Sequence, residues 1–237
     1  NIYLKNLNSI GKDSEKYKSS PDVELYNINE ISIEYPLEKI LSQTNNFITP
    51  KVSFRINPSD MKDQSSEDRL ITTDNIFGIN RLGITDSYES GKSLTFGIDY
   101  RKENKKNLDK YFEFKLAKVF RDTPELDIPK SSSLYNKSSN LFGSLENKLS
   151  DILTIDYNFA LDNDLQTFES NELTAQLSVN NFVTTFNFLE KAGETGDVNT
   201  IENITKVSFD DQNSLVFKTR RNRKISLTEY YDLVYEY

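Results

Sequence analysis

Apolar and polar residues alternate along most of this chain, in segments of roughly ten residues. In residues 153–161 the odd positions are all apolar or aromatic: Leu153, Ile155, Tyr157, Phe159 and Leu161. Positions 154, 156 and 158 carry Thr, Asp and Asn instead. Successive side chains of a β-strand point to opposite faces of the sheet. The pattern therefore predicts strands with one apolar face and one polar face.

The same pattern recurs along the chain and predicts about twelve strands, with no α-helix. Residues Leu37 to Gln43 are expected to form at most one short helical turn. The predicted strands cover residues 1–8, 22–36, 46–57, 92–103, 110–121, 139–149, 151–162, 171–180, 182–191, 199–210, 213–221 and 226–237.

Short and long connections alternate between these strands. Short ones join 92–103 to 110–121, 139–149 to 151–162, 171–180 to 182–191 and 199–210 to 213–221. The longer ones are 58–91, 122–138, 163–170, 192–198 and 222–225. An up-and-down barrel of an outer membrane has short periplasmic turns and long external loops, and a strand of roughly 9–11 residues crosses the bilayer at a tilt. The fold expected is therefore all-β, an antiparallel up-and-down transmembrane β-barrel. It is expected to be partial, with about 12 strands of a larger barrel.

Two charged residues fall in the apolar register of their strands, Glu229 and Lys118. A charge on the lipid face is tolerated near the membrane interface and is costly at the midplane. These two residues therefore count against a barrel unless both lie near a strand end.

Composition agrees with a barrel and narrows the chemistry. The 237 residues have a mean hydropathy of -0.63 and include no apolar run long enough for a transmembrane helix. Barrel strands need apolar residues only at alternate positions, so a polar average is compatible with a membrane. The apolar face is supplied by 15 Phe and 13 Tyr. The chain starts at Asn1 without Met and stops inside a strand pattern at Tyr237, so we expect an internal fragment.

Catalysis, metal binding and nucleic-acid binding are not expected. The chain has no Cys and no His, which removes the thiol nucleophile, the usual general base and the commonest metal ligand. No glycine-rich phosphate loop occurs. The net charge of -8 argues against a nucleic-acid surface. The basic cluster Lys218, Arg220, Arg221, Arg223 and Lys224 is best interpreted as a solvated loop or strand rim, or else as a contact with anionic groups of a lipid or partner.

The long connection 58–91 is the main candidate for a specialised element, because loops of this length are usually functional or disordered. Residues 75–84 are rich in apolar side chains, so we expect them to pack against the lumen wall, with Arg81 paired to a lumen carboxylate. An ordered surface loop without specific function is the alternative. The candidate lumen or loop residues are Asn80, Arg81, Asp86, Asp99, Arg101, Asp156 and Asn158.

Residues 50–100 carry a resemblance to a known family. A strand from Pro50 to Pro58 is followed by a long loop, by the run Asn80-Arg81-Leu82-Gly83-Ile84-Thr85-Asp86 and by a Gly-containing strand at 91–98. This order is similar to the barrel domain of the lipopolysaccharide-assembly outer-membrane proteins, the LptD or organic-solvent-tolerance family. Residues 139–143 and 219–237 resemble the C-terminal half of that domain less specifically.

The resemblance implies a function and partners. Members of the family receive lipopolysaccharide (LPS) and release it into the outer leaflet of the outer membrane. The chain is then expected to be a fragment of one outer-membrane β-barrel domain (residues 1–237), without the family's periplasmic jellyroll domain and without enzymatic activity. The implied partners are LPS, a plug lipoprotein, the components of the periplasmic LPS-transport bridge and outer-membrane lipid. No cofactor, metal or nucleic acid is implied, and the expected location is the cell outer membrane.

Two alternatives remain open from the sequence. One is another outer-membrane barrel, such as a porin or receptor, which would share every feature except the motif. The other is a soluble all-β binding module in which the apolar faces of two sheets form a closed core.

Overall fold

The structure is a computed structural model that describes residues 1–13 and 17–237. It consists of thirteen strands joined into one sheet. The strands are β1 (Ile2–Ser9), β2 (Asp22–Glu34), β3 (Leu37–Ile40), β4 (Thr44–Asn57), β5 (Gly91–Asn104), β6 (Tyr111–Arg121), β7 (Leu141–Asn147), β8 (Leu153–Leu161), β9 (Phe168–Val179), β10 (Phe182–Lys191), β11 (Val198–Ser208), β12 (Ser214–Asn222) and β13 (Leu227–Glu236).

Strands that follow one another in sequence are neighbours in the sheet, and every pair is antiparallel. The one departure is β3, a short strand that pairs with β4 beyond the end of β2. Within the described residues β1 and β13 each pair on one side only, so the sheet is not closed. One up-and-down sheet with two free edges confirms the prediction of a partial barrel and contradicts a two-sheet sandwich.

The two faces of the sheet have opposite environments, and β5 shows this most clearly. Phe96 and Ile98 lie on one face, which we call the outer face, and are 45% and 42% exposed. Ser93 and Thr95 lie on the other face, the inner face, and are 4% and 2% exposed. In a water-soluble β-protein the apolar side chains are the buried ones. The exposed apolar face is therefore the arrangement of a sheet whose outer surroundings are apolar.

The hydrophobic core lies on the inner face, underneath two long connections. Residues 58–90 (the long segment) and 122–140 (the second segment) fold back over the strands instead of projecting from them. A 3₁₀ turn at Lys130–Ser132 belongs to the second segment, and another, Gly193–Thr195, lies between β10 and β11. The core residues are Met61, Ile71, Ile76, Leu82, Ile84, Ile128 and Leu134 of the two segments, with Ala117, Val119, Phe142 and Ala160 of the strands.

Helical structure in the described residues is limited to these two 3₁₀ turns, neither of which is long and apolar enough to cross a membrane. The expected helical turn at Leu37 to Gln43 is wrong. Leu37–Ile40 forms β3, paired with residues 45–48 of β4 in a tight hairpin. Tyr35 and Pro36 separate β3 from β2, since proline has no amide hydrogen to continue the ladder.

The predicted alternation of connections holds only in the first half of the sheet. The long connections 58–90 and 122–140 do alternate with short ones, but all connections from β7 to β13 are short. As evidence for a barrel, the lengths of the connections therefore count only for 58–90 and 122–140. Both of these connections lie at the same end of the strands.

The two charges in the apolar register have different explanations. The Lys118 ammonium donates a 3.0 Å hydrogen bond to Asn163 Oδ1, in the connection after β8, so this charge lies at the strand ends. The register of β12 and β13 shifts between Arg220 and Arg221, which leaves Glu229 without a direct partner in the ladder. The Glu229 carboxylate instead forms a 3.1 Å ion pair with Arg220. The Lys118 backbone lies opposite Phe96, inside the apolar face, and only its ammonium extends to the strand ends.

Candidate functional site

The long segment is fixed at both ends by the strands that it connects. Asn57, the last residue of β4, donates from Nδ2 to the Glu89 carbonyl at 2.9 Å and accepts the Ser59 amide at 3.1 Å. The side chain of Asn57 is fully buried, so both of its polar ends are satisfied inside the protein. The Asn57 side chain therefore bonds both ends of the long segment, at Ser59 where it leaves β4 and at Glu89 where it returns to β5.

A buried charge cluster holds the long segment on the inner face. Glu89, which is 3% exposed, accepts hydrogen bonds from three arginines. Arg81 contacts both carboxylate oxygens, at 2.5 Å from Nη2 and 2.7 Å from Nε. Arg55 of β4 donates from Nη1 at 2.8 Å, and Arg121 of β6 donates from its own Nη1. We call these four residues the Glu89 cluster.

The cluster also binds the sheet through neutral groups. Arg81 donates to Thr95 Oγ1 at 2.9 Å and to Ser93 Oγ at 3.0 Å, both on β5. Arg121 donates to the Ser90 carbonyl at 2.5 Å. Strands β4 and β6 and the long segment thus meet at the Glu89 carboxylate, and β5 is joined to it through Arg81.

Electrostatics make Glu89 the critical member. Burial by itself would raise its pKa, but the charges of Arg81, Arg55 and Arg121 outweigh burial and lower the pKa to about 2. Three arginines surround the Glu89 carboxylate. A second buried acidic residue, Glu30 of β2, is the ladder partner of Arg55. The Nε atoms of Arg55 and Arg121 have no hydrogen-bond acceptor in the part of the chain that the structure describes. Without Glu89 the cluster would be a group of mutually repelling buried cations.

The lowered pKa predicts a specific pH dependence. Glu89 is charged in the folded state down to about pH 2, whereas an ordinary Glu takes up its proton near pH 4.5. Its stabilising effect is therefore complete above about pH 4.5 and is lost as the pH falls toward 2.

In thermal unfolding of the full-length protein, we expect the difference between wild type and Glu89→Gln to be constant from pH 7 to about pH 5 and to shrink below it. A difference that already disappears between pH 7 and 5 would contradict the lowered pKa.

A second contact between the long segment and the sheet is steric. Phe77 packs against β5 where Gly97 provides no side chain: a Cβ at Gly97 would be 2.6 Å from Phe77 Cζ and 3.1 Å from the Leu116 carbonyl oxygen. The ammonium of Lys51 lies 5.8 Å from the centre of the same ring. Gly97 is therefore required for the segment to approach this closely.

Replacing Gly97 with Val is expected to displace Phe77 and to destabilise the docked segment by about 1–3 kcal/mol. Thermal unfolding and protease cleavage within 58–90 would measure this effect. Ile98→Val, one residue away on the outer face, is the control and should change little. Shortening Phe77 to Leu in the Gly97→Val background should restore part of the loss. Absence of any rescue would mean that the clash with the Leu116 backbone, and not with Phe77, dominates.

The structure gives each of the seven sequence-predicted residues a partner within the protein. Arg81 lies in the Glu89 cluster. Asn80 donates to the Ile84 carbonyl at 2.8 Å and shapes the turn next to it, and Asp86 accepts a hydrogen bond from Tyr17. Asp99 pairs with Lys51 at 2.8 Å, and Arg101 pairs with Glu103 and Glu113 at 3.1 and 3.3 Å. Asn158 donates to Asp156 at 2.8 Å on the inner face of β8.

Sequence reasoning missed the carboxylate partner of Arg81 and the two strand arginines. The partner was expected on the lumen wall, but it is Glu89, eight positions further along the same segment. Arg55 and Arg121 do carry a signal, because each occupies the polar register near a strand end next to a long connection. That signal gives their position without indicating which acid they share.

Beyond β8 the inner face is polar and is not covered by the two segments. An open hollow of about 210 Å³ lies over β9 to β12. Asn187 donates to Glu202 at 3.0 Å, and the Tyr230 hydroxyl donates to the same carboxylate at 2.6 Å. Lys218 and Arg220, of the basic cluster, face this side of β12 in register with Ile204 and Glu202. The inner face thus has a covered part and an open polar part.

Comparison with known proteins identifies the family. A search of curated proteins gave no match. The family model of LptD, LPS transport system D, matches residues 5–215. This match includes β2 to β11, both long connections and all four residues of the Glu89 cluster. The chain therefore belongs to the LptD family, LPS transport system D.

Proposed function

We propose that this chain forms one wall of the outer-membrane translocon that assembles LPS into the outer leaflet. The observation that carries the proposal is the sheet with an exposed apolar face, found in a chain that matches the LPS transport family over residues 5–215. In this arrangement the outer face contacts membrane lipid and the inner face lines a hydrated lumen. The porin and receptor alternatives offer no reason for that family match.

The outer face of β5 has the height expected for a membrane wall. Its residues run from Lys92 through Leu94, Phe96, Ile98 and Tyr100 to Lys102. Ten residues at about 3.4 Å each give roughly 34 Å, which becomes about 25 Å when the strand is tilted by about 40°. A transmembrane barrel presents an apolar band of about 25 Å. The two lysines therefore mark the two interfaces.

The connections supply the orientation. Long loops of outer-membrane barrels lie outside the cell and short turns lie in the periplasm. The long segment and the second segment then enter the lumen from the external side. Lys92 lies at the external interface and Lys102 at the periplasmic interface.

The covered and open parts of the inner face suggest a division of roles. We propose that the two segments fill the lumen next to β4–β8, and that the open polar part over β9–β12 passes the sugar and phosphate groups of LPS. Asp99, Arg101, Asp156 and Asn158 contribute to the hydrated wall below the long segment. The plug lipoprotein and the periplasmic bridge components that the family resemblance implies complete the assembly from the periplasmic side.

The function is tested by depleting the full-length protein in the organism that encodes it. We expect less LPS at the cell surface, restored by the wild-type gene, and a product that is found in the outer membrane with heat-modifiable gel migration. Unchanged surface LPS after depletion, or a product in the soluble fraction, would overturn the proposal.

A further inference from the structure

The outer face carries an apolar groove at the end of the sheet where the short turns lie. The groove has an open volume of about 340 Å³ and is formed by the β3–β4 hairpin and β5. Its apolar lining comes from Leu37, Leu41, Ile48 and Tyr100. The first three of these side chains are more than two-fifths exposed, so the protein does not fill the groove itself.

Two lysines lie in one row at the border of this groove. Lys39 of β3 is opposite Asn46 of β4, which is in turn opposite Lys102 of β5. Because neighbouring strands are about 4.8 Å apart, the two lysine backbones are roughly 10 Å apart, and both ammonium groups can reach one anion between them. Neither lysine forms an ion pair within the described residues.

The apolar row lies directly next to the row of lysines. Leu37 is opposite Ile48, and Ile48 is opposite Tyr100. The Tyr100 hydroxyl donates to Asn46 Oδ1 at 3.0 Å, which holds the aromatic ring at the boundary between the two rows. Glu38 also borders the groove, but its register partner is Phe47, on the inner face. On the outer face, the row of Lys39 and Lys102 therefore borders the apolar row of Leu37, Ile48 and Tyr100.

We propose that this groove binds an anionic phospholipid of the periplasm-facing leaflet, with its phosphate between Lys39 and Lys102 and an acyl chain along Leu37, Ile48 and Tyr100. The charge of the border matches a phosphate, and the lining matches hydrocarbon. Lysines at a membrane interface attract anionic lipid in this way. The inference rests on the proposed membrane placement and adds a lipid site on the outer face, away from the lumen.

The test uses the full-length protein, purified in mild detergent and titrated with phosphatidylglycerol in native mass spectrometry. Lys39→Gln and Lys102→Gln are each expected to weaken binding roughly fivefold, and the double variant more than either. Lys92→Gln is the matched control, because it removes a lysine from the same face of β5 at the opposite interface. Phosphatidylcholine, which has no net charge, should bind more weakly than phosphatidylglycerol to the wild type.

Specific outcomes overturn the proposal. They are an unchanged affinity in the double variant, an equal loss in Lys92→Gln, or equal binding of the two lipids. Capture of a protein segment in place of lipid, seen as a cross-link from residue 37 to another part of the complex, would also overturn it. Heat-modifiable migration of each variant shows that the barrel has assembled. If the wild type did not show heat-modifiable migration, the membrane placement itself would be wrong. That result can be told apart from a failure of lipid binding by an assembled barrel.

Discussion

Replacing Glu89 with Gln is expected to release the long segment from the inner face and to destabilise the folded protein by about 3–5 kcal/mol. The substitution keeps the shape of the side chain but removes the carboxylate that contacts all three arginines of the cluster. Breaking a buried ion pair on one side leaves uncompensated buried charge, which accounts for a cost of this size.

Trypsin cleavage within residues 58–90 would measure the release, because Lys62 and Arg69 lie in that segment. Glu67→Gln is the matched control. Glu67 belongs to the same segment and forms a 3.4 Å ion pair with Arg69, but both side chains are well exposed. Such a pair contributes less than about 1 kcal/mol. Equal protection of the two variants would show that the cluster does not hold the segment.

Arg81→Ala should have a smaller effect than Glu89→Gln. The carboxylate would retain Arg55 and Arg121, so no charge of the cluster would lack a partner. The hydrogen bonds to Ser93 and Thr95 would still be lost, and some loosening of the segment is expected. The order of the two effects, measured in the same cleavage assay, distinguishes a cluster centred on Glu89 from one centred on Arg81.

The second large effect is expected on the outer face. Ile98→Arg places a charge near the centre of the proposed apolar band, opposite Pro50 and Leu116, and should cost about 2–4 kcal/mol in a membrane. Tyr100→Arg, on the same strand and the same face but near the periplasmic interface, should cost about 0–1 kcal/mol. Unfolding of the full-length protein in lipid vesicles measures both values. Equal costs at the two positions would contradict a membrane along this face.

The strands were predictable because their cause is local. A strand with lipid on one side and water or polar groups on the other must alternate at every second residue, and β5 and β8 do so. β3 was missed because four residues, Leu-Glu-Lys-Ile, are too few to show a period, and their apolar ends fit a helical turn equally well. Its strand character comes from pairing with β4, which is a tertiary effect.

The Glu89 cluster was out of reach for a different reason. Its members come from positions 55, 81, 89 and 121, and the chain has 37 acidic residues, so no pattern singles out which one is buried. The sequence did indicate that the apolar residues near Phe77 would pack against the sheet. The role of Gly97 as the contact point for the Phe77 ring could be recognised only from the structure.

The most direct test of the membrane wall is a scan of β10, whose inner face is not covered by either long segment. A fluorescent label is placed in turn at residues 183–188 of the full-length protein in lipid vesicles, and quenching by a lipid-soluble and by a water-soluble nitroxide is compared. We expect labels at Thr184, Phe186 and Phe188 to be quenched from the lipid, and labels at Val183, Thr185 and Asn187 to be quenched from water. Loss of this two-residue alternation, or lipid quenching at Thr185 and Asn187, would contradict a sheet with lipid on its outer face and a hydrated lumen on its inner face.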